Sequence, residues 1–297
     1  MRLPRLRFAI ACSLVAATVH AQEPGGTLKK IKDSGSITLG HRESSIPFSY
    51  YDDKQLVIGY SQEIMLAAVE AVRQQLKLAA LQIKLNPVTS QNRISLVQNG
   101  TIDIECGSTT NNLERQKQVS FSNSIFVIGT RLLTKKDSGI RDFPDLAGKN
   151  VVTTAGTTSE RLLRKMNEER KLGLNIISAK DHGESFLTLE TGRAVAFMMD
   201  DALLYGELAK AKRPGDWTVT GTPQSREVYG CMLRRDDAPF KRVVDDAIGK
   251  LMKSGEAEKI YGKWFLNPIP PKGLNLGFPL SDDMKALLRN PNDKAFD

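Results

Sequence analysis

The chain has 297 residues, of which 40% are hydrophobic and 26% are charged, and its formal net charge is +8. Arg2, Arg5 and Arg7 lie in the first segment, and subtracting these three leaves +5 for the remainder. Lysines and arginines are interspersed with acids, as in NEERK and RRDD, so the charge pattern does not indicate a nucleic-acid partner. The length suits one large domain or two lobes.

The first 21 residues have the three parts of a secretory signal peptide. A basic segment precedes an apolar run from Phe8 to Val19, which is shorter than the ~20 residues needed to span a bilayer. Small residues then end at Ala21, so we expect cleavage after it and an exported chain that begins at Gln22. Cys12 does not fit a lipoprotein signal, because the usual leucine is missing before it. A short N-terminal core helix is the alternative.

The first half of the exported chain alternates between strand-like and helical segments. Ser61 is the expected N-cap of the first helix, while Ser90 opens a short helix that Gly100 closes. The predicted elements are a strand at 36–40, a helix at 61–77, a strand at 81–86, a helix at 90–99 and a strand at 102–105. This alternation predicts an α/β architecture with largely parallel sheets.

A second α/β series follows between two extended segments. The predicted elements are strands at 151–155, 174–179 and 194–199, helices at 157–170, 183–192 and 200–212, and two later helices at 238–250 and 255–264. The extended segments are IFVIGTRLLTKK, with Gly129 at its centre, and GTPQSREVYGCML. Two α/β units joined by two crossings predict a two-lobed clamp, with a ligand beyond the carboxyl ends of the strands and between the lobes.

Polar clusters follow six of these predicted strands, and most of their side chains are hydrogen-bond donors. The candidate ligand-binding residues are Arg42, Ser90, Arg93, Ser108, Thr110, Arg115, Thr157, Thr158, His182 and Asp200. Any one of them could be an ordinary surface or capping residue, but six clusters at the same edge of the sheets are hard to explain as loops.

The chemistry of these clusters favours an acidic amino acid as ligand. Arginine forms a planar fork that matches a carboxylate, and the GTTSE segment places backbone N–H groups at a helix N-terminus, which is an anion site. Asp200 is the main acidic counterpart, whereas Asp201 is expected to face away as a first-turn acid. A ligand with two carboxylates and one ammonium, that is, an acidic amino acid, would pair with these groups.

The sequence offers little support for a metal site or for catalysis. His41 and His182 stand alone, and none of the common motifs of hydrolases, metalloproteases or nucleotide-binding loops occurs, so we expect no cofactor, no metal and no enzyme activity. Cys106 and Cys231 form an even pair in an exported chain, which favours a disulfide, with two buried free thiols as the alternative.

Several long motifs closely resemble the glutamate/aspartate group of the polar amino-acid solute-binding proteins, which serve bacterial ABC uptake systems. These motifs are GHRESSIPFSYYD, PVTSQNRISLVQNGTIDIECGSTTNNLERQKQVSFS, GTTSE, SAKDHGESFLTLETGRAVAFMMDDALL and YGCMLRRDD. The similarity runs from about Thr27 to PNDKA near the end. It implies a two-lobed periplasmic-binding-protein (type II) fold with two hinge strands, divided into a signal peptide (1–21), lobe 1 (22–128 and 225–297) and lobe 2 (129–224).

The resemblance also implies roles for the candidate residues. It assigns Ser108, Thr110 and Arg115 to the ligand's α-carboxylate, Asp200 to its ammonium, Thr157 and Thr158 to the helix that closes on it, and Arg42, Ser90, Arg93 and His182 to its side-chain carboxylate. It implies a Cys106–Cys231 pairing in lobe 1. The implied partners are L-glutamate or L-aspartate and an inner-membrane ABC permease, the implied compartment is the periplasm, and the implied state is a monomer.

Two other functions remain as alternatives. An exported, dehydratase-like enzyme could use the same scaffold, with His182 and Glu184 as its acid or base, because a fold does not dictate a function. A receptor input domain is disfavoured, because the sequence has no later run of transmembrane length.

Overall fold

The structure is a computed structural model that describes residues 26–296. The predicted signal peptide, with its cleavage site after Ala21, lies outside the described residues. Within 26–296, no helix combines the length and the hydropathy that a membrane crossing requires.

The first part of the chain builds one sheet with its covering helices. Its elements are α1 (Gly26–Ser34), β1 (Ser36–His41), β2 (Ser44–Ser45), β3 (Ser49–Tyr51), β4 (Val57–Ile58), α2 (Tyr60–Gln75), β5 (Gln82–Pro87), α3 (Arg93–Gln98), β6 (Ile104–Glu105), α4 (Leu113–Gln116) and β7 (Ser120–Ile128). The strands β2, β3 and β4 form a small sheet of their own.

The middle part builds a second sheet, and the chain then returns to the first. The elements are β8 (Thr130–Lys135), β9 (Asn150–Thr154), α5 (Thr158–Glu169), β10 (Asn175–Ala179), α6 (His182–Glu190), β11 (Ala196–Asp200), α7 (Asp201–Lys210), β12 (Trp217–Thr220), β13 (Glu227–Leu233), α8 (Ala238–Lys253), α9 (Glu256–Phe265), β14 (Pro268–Ile269), β15 (Leu274–Asn275) and α10 (Asp282–Arg289).

Each of the two larger sheets in the described chain is mixed, with four strands that run in one direction and one strand that runs in the opposite direction. The strand orders are β5–β1–β6–β13–β7 in lobe 1 and β10–β9–β11–β8–β12 in lobe 2. The first three strands of each sheet are parallel, as expected. The fourth strand, β13 in lobe 1 and β8 in lobe 2, is antiparallel to both of its neighbours, so the fifth runs in the same direction as the first three. The sequence pattern predicts β7, β8 and β13 only as parts of the two extended segments and does not predict β12. These four strands carry the chain into and out of the two crossings between the lobes.

The crossings lie side by side. Strand β7 continues through Gly129 into β8, and the chain returns through residues 221–226 into β13. A Cβ added to Gly129 would lie 3.1 Å from Pro223 Cβ and 3.1 Å from the Ser225 carbonyl oxygen, so the two crossings touch at this glycine. Such a pair of adjacent strands is suited to act as a hinge.

The carboxyl ends of the parallel strands of both lobes face one cleft, and the cleft is closed. The hydroxyl oxygens of Thr110 in lobe 1 and Thr158 in lobe 2 are 3.3 Å apart. The backbone N–H of Gly183 in lobe 2 donates to Ser44 Oγ of lobe 1 at 3.3 Å. Residues that follow different strands therefore meet between the lobes.

An aromatic cluster supports the lobe 1 side of this cleft. Phe126 of β7 packs against Phe48 and Phe265, with ring centroids 4.9 and 4.8 Å apart. Tyr229 of β13 packs on Phe48 at 5.1 Å. Edge-to-face and offset contacts of this kind add stability beyond the burial of apolar area, so they stabilise the lobe 1 side of the cleft.

Two helices start elsewhere than expected. Helix α2 begins at Tyr60 with Gly59 as its N-cap, because Gly59 adopts φ 134° and a Cβ there would lie 2.3 Å from the Phe48 carbonyl oxygen. Ser61, the predicted N-cap, instead donates to the Gly107 carbonyl at 2.8 Å. Helix α3 begins at Arg93, three residues after the predicted start, and Gly100 follows its C-cap with φ 75° as expected.

The disulfide predicted between Cys106 and Cys231 is confirmed. The antiparallel pairing of β6 with β13 places Glu105 opposite Met232, and the two cysteines occupy the next pair of positions, with Cα atoms 4.3 Å apart. The bond links residues 125 apart in sequence, directly below the polar segment that begins at Ser108. It therefore joins two strands that support the cleft.

Removing this bond is expected to destabilise the protein. In the chain-entropy account a crosslink across so long a loop stabilises by about 2–5 kcal/mol, so Cys106→Ala combined with Cys231→Ala should lower the free energy of unfolding by about that amount. Urea denaturation measures the difference. Reductant should lower the wild-type midpoint and leave that of the double variant unchanged; a wild-type midpoint insensitive to reductant would contradict the prediction.

Candidate functional site

The predicted site residues lie together at the cleft. All of them are buried except Thr158, which is half-buried, although each is polar or charged. Lobe 1 contributes Arg42, Ser90, Arg93, Ser108, Thr110 and Arg115, and lobe 2 contributes Thr157, Thr158, His182 and Asp200. Buried polar groups are unusual unless they have partners, so this concentration indicates a binding site.

Arg42, Arg93 and Arg115, here called the arginine cluster, are 1%, 1% and 2% exposed. Arg93 donates from Nη1 to the Ser108 carbonyl at 3.1 Å and to the Thr109 hydroxyl. Arg115 donates from Nη1 to the Thr110 carbonyl at 3.0 Å. These bonds to two carbonyl groups and one hydroxyl of the 108–110 segment hold the guanidinium groups of Arg93 and Arg115, and their Nε donors stay without partners in residues 26–296.

Arg115 is positioned by local capping and reaches across the cleft. It lies in the short helix α4, where Asn112 is the N-cap and accepts from the Arg115 backbone N–H at 2.8 Å. Its Nη2 donates to the Gly156 carbonyl of lobe 2 at 3.3 Å. Arg115 therefore contacts both lobes in the closed form.

Several buried donors converge on the cleft without a partner. Within residues 26–296, hydrogen-bond partners are missing for Arg42 Nη1, Ser90 Oγ, Arg93 Nε, Arg115 Nε and His182 Nε2. A buried donor without a partner costs about 1–3 kcal/mol, and more if it is charged. Five such groups around one cleft suit a ligand rich in acceptor oxygens.

Burial and mutual repulsion perturb the arginine cluster. Burial, followed by the charge of Arg93, lowers the pKa of Arg42 to about 10. Burial, again followed by the charge of Arg93, lowers the pKa of Arg115 to about 9. Both groups stay charged at neutral pH, so the cleft holds uncompensated positive charge that a nearby anion would relieve.

His182 is a neutral donor or acceptor at neutral pH. Burial lowers its pKa well below the usual value, and the charges of Arg42 and Arg93 lower it further. The residue begins helix α6, and its Nδ1 shares a hydrogen bond with the Thr154 hydroxyl at 2.9 Å. That bond orients the ring, and Nε2 has no hydrogen-bond partner within residues 26–296.

Asp200, at the end of β11, is the carboxylate of the site. Its side chain accepts from Ser159 at 2.9 Å, from Thr130 at 3.4 Å and from the Tyr229 hydroxyl of lobe 1. Burial, and then the charge of Glu227, raises its pKa to about 7. A cation beside Asp200 would lower that pKa again and stabilise the carboxylate.

Asp201 has the structural role predicted for it. Its carboxylate accepts from its own helix at the Ala202 N–H, at 2.8 Å, and from the Gly129 N–H, at 3.4 Å. It therefore ties the start of α7 to the first crossing, while Asp200 points to different partners.

The start of helix α5 presents its positive end to the cleft. The Thr157 hydroxyl caps the helix by accepting from Glu160 N–H at 3.0 Å and donates to the Thr154 carbonyl at 2.7 Å, so its hydroxyl is already used. The Thr158 hydroxyl donates to Glu227 at 2.8 Å. The N-terminal amides of the helix make this a favourable place for an anion.

Sequence reasoning missed four residues that complete the site. Glu105 lies below the arginine cluster, and Tyr229, Ser159 and Thr130 surround Asp200. Glu105 had a detectable signal, since it ends the same strand that leads to Ser108. Among the partners of Asp200, Ser159 lies in the GTTSE segment identified from the sequence, whereas the sequence context of Tyr229 and Thr130 carries no sign of that contact.

The geometry gives the enzyme alternative no acid–base pair. Glu184 is exposed and accepts from the Lys180 backbone N–H at 2.9 Å, so it does not join His182 in the cleft. Among the described residues there is also no group of three or more His, Cys, Asp or Glu side chains that could hold a metal ion.

Comparison with known proteins agrees with the fold. The sequence profile of the bacterial extracellular solute-binding proteins, family 3, matches residues 37–267. The L-glutamate/L-aspartate-binding protein of Pseudomonas aeruginosa is 65% identical over 98% of this chain and 96% of that protein. The glutamate/aspartate import solute-binding protein of Escherichia coli is 62% identical over 98% and 96%.

A solved structure gives the same answer for the fold. The crystal structure of a mutant ArgBP from T. maritima superposes with a TM-score of 0.72 at 25% sequence identity, covering 80% of this chain and 99% of that one. The predicted two-lobed α/β fold is therefore confirmed, and the chain belongs to the bacterial extracellular solute-binding proteins of family 3.

Proposed function

We propose that this protein binds L-glutamate and L-aspartate in the periplasm and delivers them to an inner-membrane ABC permease. The observation that carries the proposal is the charge of the closed cleft. Within residues 26–296, its fully buried ionic groups include the three guanidinium groups of the arginine cluster and the carboxylates of Glu105 and Asp200, with Glu227 half-buried beside Asp200. Each arginine of the cluster keeps a buried donor without a partner in that part of the chain, and the two carboxylates of an acidic amino acid would pair with these donors.

Electrostatic neighbours support an orientation for the ligand. Arg115 lies within the influence of Asp200 and Glu227, whereas Arg42 lies within that of Glu105 and Asp181. Asp200 and Arg115 therefore suit the α-ammonium and α-carboxylate of the ligand, while Arg93 lies within the influence of both Asp200 and Glu105. His182 lies within the influence of Arg42 and Arg93, which suits the side-chain carboxylate.

Ser108 and Thr110 add hydroxyl groups for the α-carboxylate of the ligand, and Ser90 adds one for its side-chain carboxylate. The Ser90 hydroxyl is buried and has no partner in the described part of the chain, so it is available to a carboxylate oxygen. Thr157 contributes to ligand binding through the helix that it caps, and Thr158 contributes as part of the first turn of that helix. The relatives named above, whose names state glutamate and aspartate as ligands, support the same assignment.

Selectivity follows from the charge that a neutral ligand would leave behind. Glutamine would place an amide against Arg42 and Arg93, so buried positive charge would remain uncompensated, which is costly in a medium of low dielectric. Aspartate keeps both carboxylates but is one methylene shorter than glutamate. Both acids therefore satisfy the charge requirement.

Ligand capture is a shift between open and closed forms, and no bond is broken. We place the moving unit at residues 129–224, lobe 2, against 22–128 and 225–297, lobe 1, because the predicted boundaries fall in the two crossings. Lobe 1 offers the arginine cluster first, and closure adds Thr158, His182 and Asp200. The closed form is favoured because it makes these additional contacts.

Export precedes this function. The family is extracellular, which implies that the chain leaves the cytoplasm. We place the cleavage after Ala21 and expect the exported protein to work as a monomer.

The groups proposed for the two carboxylates of the ligand make separable contributions to affinity. Arg115→Ala should weaken glutamate, aspartate and glutamine alike, because all three carry the α-carboxylate. Arg93→Ala should weaken the two acids by roughly 100-fold or more and glutamine by much less, since truncating one partner of a buried charge pair costs about 2–5 kcal/mol. Titration calorimetry on ligand-stripped protein measures these affinities.

Arg141→Ala is the matched control, because its side chain is 89% exposed and lies in lobe 2. It should bind all three ligands as the wild type does. Equal affinity of the wild type for glutamate and glutamine would refute the proposed ligand class, and an even loss across ligands in both site variants would refute the division of roles.

Binding is expected to release a proton at mildly acidic pH. The pKa of Asp200 is raised to about 7 by burial and then by Glu227, so below that pH the free closed form holds a proton on Asp200. The ligand ammonium favours the carboxylate, so affinity should rise by up to about tenfold per unit as pH approaches 7 and then level off.

Calorimetry at pH 6 and pH 8 in buffers of different ionisation enthalpy counts the protons released. Asp200→Asn should bind glutamate about 100-fold or more weakly and should lose the release at pH 6, because its side chain cannot ionise. Wild-type binding at pH 6 without proton release would show that Asp200 does not titrate with the ligand.

A further inference from the structure

Glu105 occupies a niche that two glycines create below the arginine cluster. It ends strand β6, is fully buried and pairs with Gly40 on one side and Met232 on the other. A Cβ added to Gly107 would lie 2.5 Å from Glu105 Oε1, and one added to Gly40 would lie 3.1 Å from Glu105 Cβ. The backbone therefore makes room for this carboxylate next to the cleft floor.

A single hydroxyl links Glu105 to the cluster. The Thr109 hydroxyl donates to Glu105 Oε2 at 2.7 Å, and the oxygen of that hydroxyl accepts from Arg93 Nη1. Arg93 Nε and Arg42 Nη1 have no partner in residues 26–296, so both remain available to a ligand. Glu105 thus supplies negative charge without consuming the donors that would hold a ligand.

The charge of Glu105 acts on two members of the cluster. Burial is the main influence on the pKa of both Arg42 and Arg93, and it lowers them. Among the influences that raise those two pKa values, the Glu105 charge is the largest in each case. Glu105 therefore favours the charged state of both guanidinium groups before any ligand arrives.

We propose that Glu105 is an internal counterion that stabilises the ligand-free arginine cluster and moderates the preference of the cleft for acidic side chains. This proposal rests on the proposed function. In the free protein Glu105 offsets repulsion among Arg42, Arg93 and Arg115. In the complex it repels the side-chain carboxylate of the ligand, whereas the amide of glutamine carries no charge for it to repel.

The test is Glu105→Gln, which keeps the shape and the hydrogen bond but removes the charge. The ratio of glutamate to glutamine affinity should rise by roughly tenfold, as expected for one unit charge acting across the cleft floor. The melting temperature of the ligand-free variant should fall, and glutamate should restore more of it than glutamine does. Calorimetry and thermal unfolding with each ligand measure these effects.

Two matched variants separate charge from other causes. Asp103→Asn removes a buried acid two residues earlier, which pairs with Lys30 at 2.8 Å outside the cleft. It should lower the melting temperature and leave the affinity ratio unchanged. Thr109→Val breaks the link to Arg93 but keeps the Glu105 charge, so it should weaken both ligands without raising the ratio.

The outcomes distinguish this proposal from the proposed function. If the wild type does not prefer glutamate to glutamine, the proposed function fails. If the wild type does but Glu105→Gln leaves the ratio unchanged or lowers it, only the counterion proposal is overturned; a rise in Thr109→Val equal to that in Glu105→Gln overturns it too. Should ligand-free Glu105→Gln not fold, the concentrations of glutamate and glutamine that restore half the folded protein give the same ratio.

Discussion

Three guanidinium groups held out of water at one cleft are the constraint on which the rest of the molecule depends. Arg42, Arg93 and Arg115 repel one another, and burial disfavours the charge of each. A fold that keeps them there must hold their backbone still and supply acceptors. The disulfide and the aromatic packing of β7 and β13 hold the backbone in place. Carbonyl groups of the 108–110 segment supply the acceptors.

The lobes divide the chemistry of the site between them. Lobe 1 holds the arginine cluster on a braced sheet, and lobe 2 brings a carboxylate, a neutral histidine and a helix N-terminus. Tyr229 links the two, since its ring packs in lobe 1 and its hydroxyl donates to Asp200 of lobe 2. Each lobe therefore contains one half of the site, and closure assembles the whole.

Much of the fold and site could be predicted from the sequence because the relevant signals are local. Strand ends followed by Ser, Thr and Arg identified the residues that the fold brings together, and the cysteine pair lies where antiparallel register permits. The start of α2 was placed wrongly, because the conformation of Gly59 depends on Phe48, eleven residues earlier.

Other features depend on contacts that a local pattern does not encode. Tyr229 meets Asp200 only because β13 returns from the second crossing, and the mixed character of each sheet has the same origin. Glu105 had a signal in its sequence, because it ends the strand that leads to Ser108. Its role could not be predicted, because that role depends on the charges of Arg42 and Arg93, which come from other strand ends.

The position of the disulfide also determines when the floor of the cleft receives its crosslink. Cys106 and Cys231 lie directly under the segment that orients Arg93 and Arg115, and such bonds form outside the reducing cytoplasm. While the chain is still being synthesised and exported, the floor of the cleft lacks its crosslink. Maturation of the binding surface is thereby tied to arrival in the compartment where the solute is collected.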